Sequence, residues 1–333
     1  MLDHSTVLAM LRAAAEPTRL RLLALLQDGE LSVKDLTRIL NQSQPRISRH
    51  LKLLAEAGLV DRLRDGSWAY YQLADAGRAA RLLATILGSI DPADSVLERD
   101  RSRAATVKRE RETAAQAYFR ANAAEWDRIR SLHVSESEVE QEVCRALGQG
   151  PFHLLVDLGT GTGRMLELLA GRYERALGFD INHTMLDYAR GKVEAGGHRA
   201  ASVRHGDLYD VPLANGAADA IVMHQVLHFL TEPSHAISEA GRILAPGGRL
   251  IIVDFAPHEM EFLRESFAHE RLGFSSPQMA QWLSEAGLRL TEARDLAPAG
   301  GVGDGKLTVT VWHAVRPDEG GRRHQAERNK VEA

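Results

Sequence analysis

The strongest constraint on this chain is local. The apolar run Leu154-Leu155-Val156-Asp157-Leu158 enters Gly159-Thr160-Gly161-Thr162-Gly163, and a helical pattern follows at Arg164–Ala170. A short apolar run closed by glycines predicts a buried strand. Glycines between a strand and a helix let a ligand approach the backbone N–H groups at the helix N-terminus. From about Phe152 onward, similar runs alternate with helical patterns, which predicts a parallel α/β sheet. Dinucleotide enzymes space this loop G-x-G-x-x-G; here Arg164 takes the third glycine's place, and the pattern is G-x-G-x-G after an acid.

Further groups fall at the ends of successive strands. Asp180 closes the strand Ala176–Phe179, where a carboxylate can take both hydroxyls of a ribose. Asp207 follows Ser202–Arg204, placed to accept a hydrogen bond from an adenine amino group. The strand Asp219–Met223 runs into His224-Gln225-Val226-Leu227-His228. Leu244-Ala245-Pro246-Gly247-Gly248 predicts a sharp turn from a helix into the strand Arg249–Phe255. A helix is expected from Ser276 as N-cap and Pro277 in the first turn, then an antiparallel pair around Leu288–Leu296 and Leu307–Val315.

The first 90 or so positions are of another kind. Pro17 fits a first helical turn, with Leu20, Leu22, Leu23, Leu25 and Leu26 as its buried side. Ser32 as N-cap and Asp35 in the first turn predict a helix Val33–Leu40. A polar turn, Asn41-Gln42-Ser43, leads to a helix over Gln44–Ala57 closed by Gly58. Two short helices so joined form a helix-turn-helix. In the second, Ile47, Leu51 and Leu54 must face the core, so Gln44, Arg46, Arg49 and Lys52 face away. N-terminal Gln and Arg can reach base edges and Lys can reach phosphate, as a major-groove helix requires. Val60–Arg64 and Trp68–Leu73, joined by Asp65-Gly66-Ser67, predict a hairpin wing carrying Arg62 and Arg64.

With 333 residues, two domains are expected. The formal charge of −4 argues weakly against nucleic acid until it is divided. Residues 1–95 carry +1, positions 41–64 alone carry +3, and the remainder carries −5. The single cysteine, Cys144, excludes a disulfide framework and any thiolate metal cluster within one chain, and it is read as a small residue of a helix core. No apolar run approaches the roughly 20 residues of a membrane span, and charges interrupt the N-terminus where a signal peptide would be apolar. The expected location is cytoplasmic, with no membrane partner. Between Ala93 and Leu147 there is neither Gly nor Pro, and Arg and Glu interleave around Arg99–Glu112, which predicts a long solvated helix as a semi-rigid connection. The polar stretch 316–333 is expected to be a disordered tail. The domains expected are therefore 1–92, a helical linker 93–117, a second domain 118–315, and the tail.

Two resemblances add to this reading. Glu16-Pro17-Thr18-Arg19-Leu20-Arg21-Leu22-Leu23, Ser43-Gln44-Pro45-Arg46-Ile47-Ser48-Arg49-His50-Leu51-Lys52 and Ala57-Gly58-Leu59-Val60 resemble the ArsR/SmtB family of bacterial repressors. That resemblance implies a homodimer on double-stranded operator DNA, contacts from Gln44, Arg46, Ser48, Arg49, Lys52, Arg62 and Arg64, and a dimer interface including the helix around Ala76–Ile90. The chain departs from the family's metal sensors. Leu31-Ser32-Val33-Lys34-Asp35 holds no cysteine and Ala76–Ile90 no histidine, so no metal is expected.

The ordered set from Tyr118 to Val315 resembles the class I S-adenosylmethionine-dependent methyltransferases, in the broad group related to ubiquinone/menaquinone methyltransferases. It implies a doubly wound, Rossmann-like α/β fold with a seven-stranded mixed sheet behind the mostly-α winged helix. It also implies S-adenosyl-L-methionine as cofactor, S-adenosyl-L-homocysteine as product, and a small-molecule methyl acceptor. Cofactor contacts are implied for Asp157, Gly159, Gly161, Gly163, Asp180, Ile181, Asp207 and Leu208. Tyr118, in Tyr118–Asp127, falls in a segment resembling a helical lid and is a further expected cofactor contact. Methyl transfer needs alignment of donor and acceptor and, for some acceptors, a base. His224, His228, Asp254 and His258 lie near strand ends, with His224 and His228 singled out as catalytic candidates and His224 also as a cofactor or acceptor contact. Arsenite methylation, which uses several cysteines, is set aside. Three functions stay open: a regulator with a working methyltransferase, a repressor sensing the two cofactor forms without turnover, and a methyltransferase whose winged helix only dimerises.

Overall fold

The computed structural model describes residues 3–65, 68–74, 77–127, 136–297 and 307–318. It divides into two units, Met1–Ala114 and Ala115–Ala333.

In the N-terminal unit, α1 (His4–Ala14) and α2 (Pro17–Leu25) precede a short strand β1 (Leu31–Ser32), then α3 (Val33–Leu40) and α4 (Gln44–Glu56). Ser32 and Asp35 form a capping box: Asp35 N donates to Ser32 Oγ and Ser32 N to Asp35 Oδ2, each at 3.2 Å. Asn41, at φ 52°, ends α3 in the left-handed region and turns the chain toward α4. Ile47, Leu51 and Leu54 are fully buried beside Leu22, Leu23, Leu36 and Ile39, so the expected phase of α4 is the observed one. β2 (Val60–Asp65) and β3 (Trp68–Leu73) pair antiparallel from Val60↔Leu73 to Asp65↔Trp68, and β3 also pairs with β1. α5 (Gly77–Gly88) follows, with Leu83 and Leu87 in the same core. The tip of the expected hairpin, Gly66 and Ser67, lies outside the described residues.

α6 (Ser95–Asn122) is a long and mostly exposed helix, and one edge of it packs against the N-terminal core. Leu97 and Val107 are buried in the N-terminal core. Arg21 forks onto the buried Asp100 at 2.6 and 2.8 Å, Arg111 pairs with Asp35, and Arg103 donates to Ile39 O. Interleaved charges along a helix suit solvent and cross-helix pairing equally, which is why periodicity alone pointed to solvent.

In the C-terminal unit, α7 (Glu136–Leu147), β4 (Phe152–Leu158), α8 (Arg164–Leu168), β5 (Tyr173–Asp180), α9 (His183–Ala195), β6 (Ala201–His205), β7 (Ala218–His224), α10 (Pro233–Ile243), β8 (Leu244–Phe255), α11 (Phe262–Phe267), α12 (Ser276–Glu285), β9 (Arg289–Leu296) and β10 (Val309–Val315) follow in order. The seven strands run β6-β5-β4-β7-β8-β10-β9, parallel through β8 and antiparallel at β10. Both faces are covered, so the central strands read as continuous apolar runs. Val156, Ile221 and Ile252 pack toward α10 and α12, while Leu155, Val222 and Val253 pack toward α7 and α8.

Three local expectations are revised. β8 begins at Leu244, with Ala245–Gly248 looping out between the pairs Ala218↔Leu244 and Ala220↔Arg249. The N-cap of α12 is Ser275, whose Oγ takes Gln278 N at 3.3 Å; Ser276 Oγ instead accepts from Trp312 Nε1 at 3.1 Å. Arg316, placed in the expected tail, donates to the carbonyls of Gly241 and Leu244, whereas 319–333 lie outside the described residues. Cys144 is half-buried on α7 against the core.

Candidate functional site

The chain leaves β4 toward β5 and β6 and returns to β7 on its other side, so the ligand crevice of such a sheet lies at the carboxyl ends of β4 and β7. The glycine loop forms one wall. Gly159 N and Thr160 N both donate to Phe179 O at 2.9 Å, folding the loop over the end of β5. Gly159 and Gly163 sit at φ 76° and 85°; a Cβ at 159 would collide with Val226, and one at 163 would lie 3.2 Å from Ala189 Cβ on α9. Glycine is needed there both for the left-handed backbone and for the close passage of neighbours. Thr160 Oγ1 donates to Asp157 Oδ2 at 2.6 Å, and Asp157 is only 1% exposed.

Asp180 is the electrostatic centre of this edge. Its Oδ2 accepts from Gly161 N at 2.9 Å and its Oδ1 from Asn182 N at 2.8 Å. Burial pushes its pKa up, while the N–H bonds from Asn182, Gly161 and Ile181 pull the other way. Each oxygen keeps a further lone pair, the acceptor set that a vicinal diol needs. Asn182 caps α9 through Met185 N and reaches back to Gln116 Oε1 at 2.8 Å. Beyond Asp180, Ile181 offers an apolar side chain that is 46% exposed, and Leu208 is buried. Asp207 Oδ1 accepts from Tyr209 N at 2.9 Å, so one oxygen serves the local turn.

The lid-like segment reaches this loop through Trp126 and Asp127, which lie in the stretch Tyr118–Asp127 but were not named as contacts. Thr162 Oγ1 donates to Asp127 Oδ1 at 2.7 Å, Lys192 pairs with Asp127, and Trp126 Nε1 lies 3.5 Å from where a Cβ on Gly161 would be. Tyr118 joins this group, its ring centroid 6.5 Å from Trp126 and 6.4 Å from Phe267, and burial raises its phenol pKa. Such partners are 35 and 65 positions apart in sequence, and no local signal links them.

Of the candidate bases, His224 closes β7 and is buried. His228 is also buried, and its Nδ1 lies 2.7 Å from Asp254 Oδ1. His258 has its pKa lowered to about 4, chiefly by burial and then by the neighbouring His228. Among the described residues, no group of three His, Cys, Asp or Glu side chains could hold a metal ion.

In the N-terminal unit, Gln44, Arg46, Arg49, Lys52 and Arg62 are exposed and Ser48 is half-buried, so the α4 candidates share its outer face. The side chain of Arg64 lies outside the described residues. On that face Lys52 pairs with Glu56 at 3.7 Å, joining side chains 75% and 59% exposed. His50, not singled out before, faces inward with Nδ1 3.6 Å from Glu16; burial lowers its pKa.

Comparison with known proteins matches residues 16–62 to the model of the bacterial regulatory protein, arsR family, and residues 156–252 to that of a methyltransferase domain. The arsenical resistance operon repressor of Escherichia coli is 48% identical over 65 residues, 19% of this chain and 56% of that protein. A demethylmenaquinone methyltransferase of Thermus thermophilus is 37% identical over 116 residues, 34% of this chain and 51% of that protein. A 37.1 kDa protein in transposon Tn4556 of Streptomyces fradiae is 36% identical over 110 residues, 32% of this chain and 31% of that protein. The chain thus spans between about a third and somewhat over half the length of these curated relatives.

Proposed function

We propose that the chain, residues 16–62 of which match the arsR-family regulator model and residues 156–252 that of a methyltransferase domain, is a DNA-binding transcriptional regulator whose second unit uses S-adenosyl-L-methionine to methylate a small molecule. The observation that carries this reading is Asp180, held by two backbone N–H groups beside a glycine loop at the switch point of the sheet. A vicinal diol on a ribose fits its remaining lone pairs, Ile181 and Leu208 suit an adenine face, and Asp207 suits its amino group. Gly159, Gly161 and Gly163, each at positive φ, shape the loop backbone along which the cofactor's amino-acid end would lie, near Asp157. When bound, the cofactor supplies a methyl group on a sulfonium. The chain's own part is to orient, to exclude water through the Tyr118–Trp126 group, and to offer His224 and His228 at the end of β7.

For the N-terminal unit, the exposed row Gln44, Arg46, Arg49 and Lys52 on a core-packed helix supports insertion into the major groove of operator DNA. Ser48 and the wing's Arg62 and Arg64 would contact the backbone nearby. A homodimer on an inverted repeat follows from the same family likeness. No helix of the described residues is long and apolar enough to cross a membrane; a regulator bound to DNA would work in the cytoplasm.

Calorimetry of the full chain with S-adenosylmethionine and S-adenosylhomocysteine, followed by DNA binding at fixed salt, tests both halves. Binding of both cofactor forms and retention of DNA are expected. Absence of cofactor binding would overturn the methyltransferase reading. Unchanged DNA retention in an Arg46→Ala/Arg49→Ala variant would reduce the winged helix to a dimerisation module.

A further inference from the structure

Nucleoside binding at the glycine loop uses neither His228 nor Asp254. Both are buried, at 2% and 0% exposure, in the turn after β7 and near the end of β8. The carboxylate grips this histidine twice: Oδ1 lies 2.7 Å from Nδ1, and Oδ2 accepts the His228 backbone N–H at 3.3 Å. Oδ1 also accepts Phe255 N at 2.8 Å. A buried carboxylate costs desolvation that apolar packing avoids, and a backbone anchor alone would not require an imidazole. With Nδ1–H donated to Asp254, the neutral ring carries its lone pair on Nε2, and no described residue bonds that atom.

The surroundings select the partner of that lone pair. The His228 ring lies 3.9 Å from Phe229, 4.9 Å from Phe255 and 4.2 Å from His269, centroid to centroid. Phe229 in turn lies edge-on to Phe119 at 4.8 Å. Val226, two residues before His228, is the side chain against Gly159, so the pair stands at the same edge as the glycine loop. Of the ionisable groups around it, Asp254 is the hydrogen-bonded anion, and His258, close to Arg264 and Glu261, stays neutral at working pH because burial lowers its pKa to about 4. Aromatic walls favour a flat ring, and an imidazole can take a proton from a phenol, with a pKa of about 10, far more readily than from an alkyl alcohol.

We propose that His228 Nε2 is the general base for a hydroxylated aromatic acceptor, with Asp254 as its positioning residue and Phe229 and Phe255 beside the ring. This rests on the methyltransferase reading above. The acceptor O–H gives its proton to Nε2 while the oxygen's electron pair forms the new O–CH3 bond. The S–CH3 bond breaks with its pair left on sulfur, which passes from sulfonium to neutral thioether. Asp254 balances the imidazolium, and the proton then leaves to water.

The test is spectroscopic and needs no turnover. The full chain, saturated with S-adenosylhomocysteine, is titrated with 4-nitrophenol at a pH where the free probe is mostly neutral. The expected result is a bound phenolate band at least about tenfold stronger in the parent chain than in His228→Gln, corresponding to about 1.4 kcal/mol. Asp254→Asn weakens the band and Asp254→Glu restores part of it, and both variants keep S-adenosylhomocysteine binding by calorimetry. Should His228→Gln fail to fold, the Asp254→Asn and Asp254→Glu pair carries the same comparison. If S-adenosylhomocysteine binds but the probe does not, or if its band is equal in parent and variants, the base is overturned while the methyltransferase reading stands. If S-adenosylhomocysteine itself does not bind, that earlier reading fails instead.

Discussion

The two units offer their chemistry in opposite ways. In the N-terminal unit the candidate groups are exposed side chains on the outer face of α4, attached to a core of Ile47, Leu51 and Leu54 that takes no part in recognition. In the C-terminal unit, apart from the exposed Ile181 and Asp207, the candidate groups are mainly buried or half-buried carboxylates and imidazoles that also hold the strand ends together: Asp157 with Thr160, Asp180 with Gly161 and Asn182, Asp254 with His228. Binding and folding are therefore separable in the first unit and entangled in the second. A surface contact can be removed at little cost, whereas a buried polar group leaves its partners unpaired when it is removed.

Several substitutions would break or sharpen that contrast. The largest effect is expected from Asp180→Asn, which removes the charge and sets an amide N–H against the Gly161 or Asn182 N–H; S-adenosylhomocysteine affinity should fall about 100-fold, near 3 kcal/mol, by calorimetry. Gly159→Ala should lower unfolding free energy by about 2–3 kcal/mol in denaturant titration, through the collision with Val226 and the positive φ. A variant as stable as the parent would show that the loop is not held by Val226. Arg46→Ala with Arg49→Ala should cost about 2 kcal/mol in DNA binding and flatten the salt dependence, with melting temperature unchanged. Loss of fold in that variant would break the separation of binding from stability.

His258 supplies a smaller, pH-dependent effect. Its folded pKa, about 4, lies below its unfolded value of about 6.5, so the unfolded chain binds a proton first as pH falls. The neutral ring's advantage is complete above pH 6.5 and is lost progressively toward pH 4. Since the ring is not wholly buried, the loss should be only about 1–2 kcal/mol, and His258→Gln should flatten that limb of an unfolding free energy against pH profile. Smallest of all, Lys52→Ala should leave stability within about 0.5 kcal/mol despite its pairing with Glu56, while still weakening DNA retention.

The same contrast explains what was legible in the sequence. Helical phase assigned the outer face of α4, and the capping box at Ser32 and Asp35 bounded α3 to the residue, because both signals lie within one turn. The glycine loop and Asp180 were legible because a strand end and a helix start are adjacent in sequence. His228 and Asp254 were visible only as separate candidates: their pairing depends on β7 lying parallel to β8, with His224 opposite Val253. The Asp127–Thr162–Lys192 group depends likewise on a fold-level approach. The length of α6 was legible but its packed edge was not, because Asp100 and Arg111 look the same in sequence whether they meet water or Arg21 and Asp35. At α12, Ser275 and Ser276 both precede Pro277, and only geometry separates the cap from the partner of Trp312.

The bonds of Asp180 also turn two amides into witnesses. Gly161 N–H and Asn182 N–H end on the two oxygens of one carboxylate, so the loop after β4 and the start of α9 share a single anchor. A ligand that adds hydroxyl donors to that carboxylate tightens both at once. Deuterium uptake at those two positions, slowed in concert, would report an occupied pocket in an otherwise silent protein, before any acceptor is known.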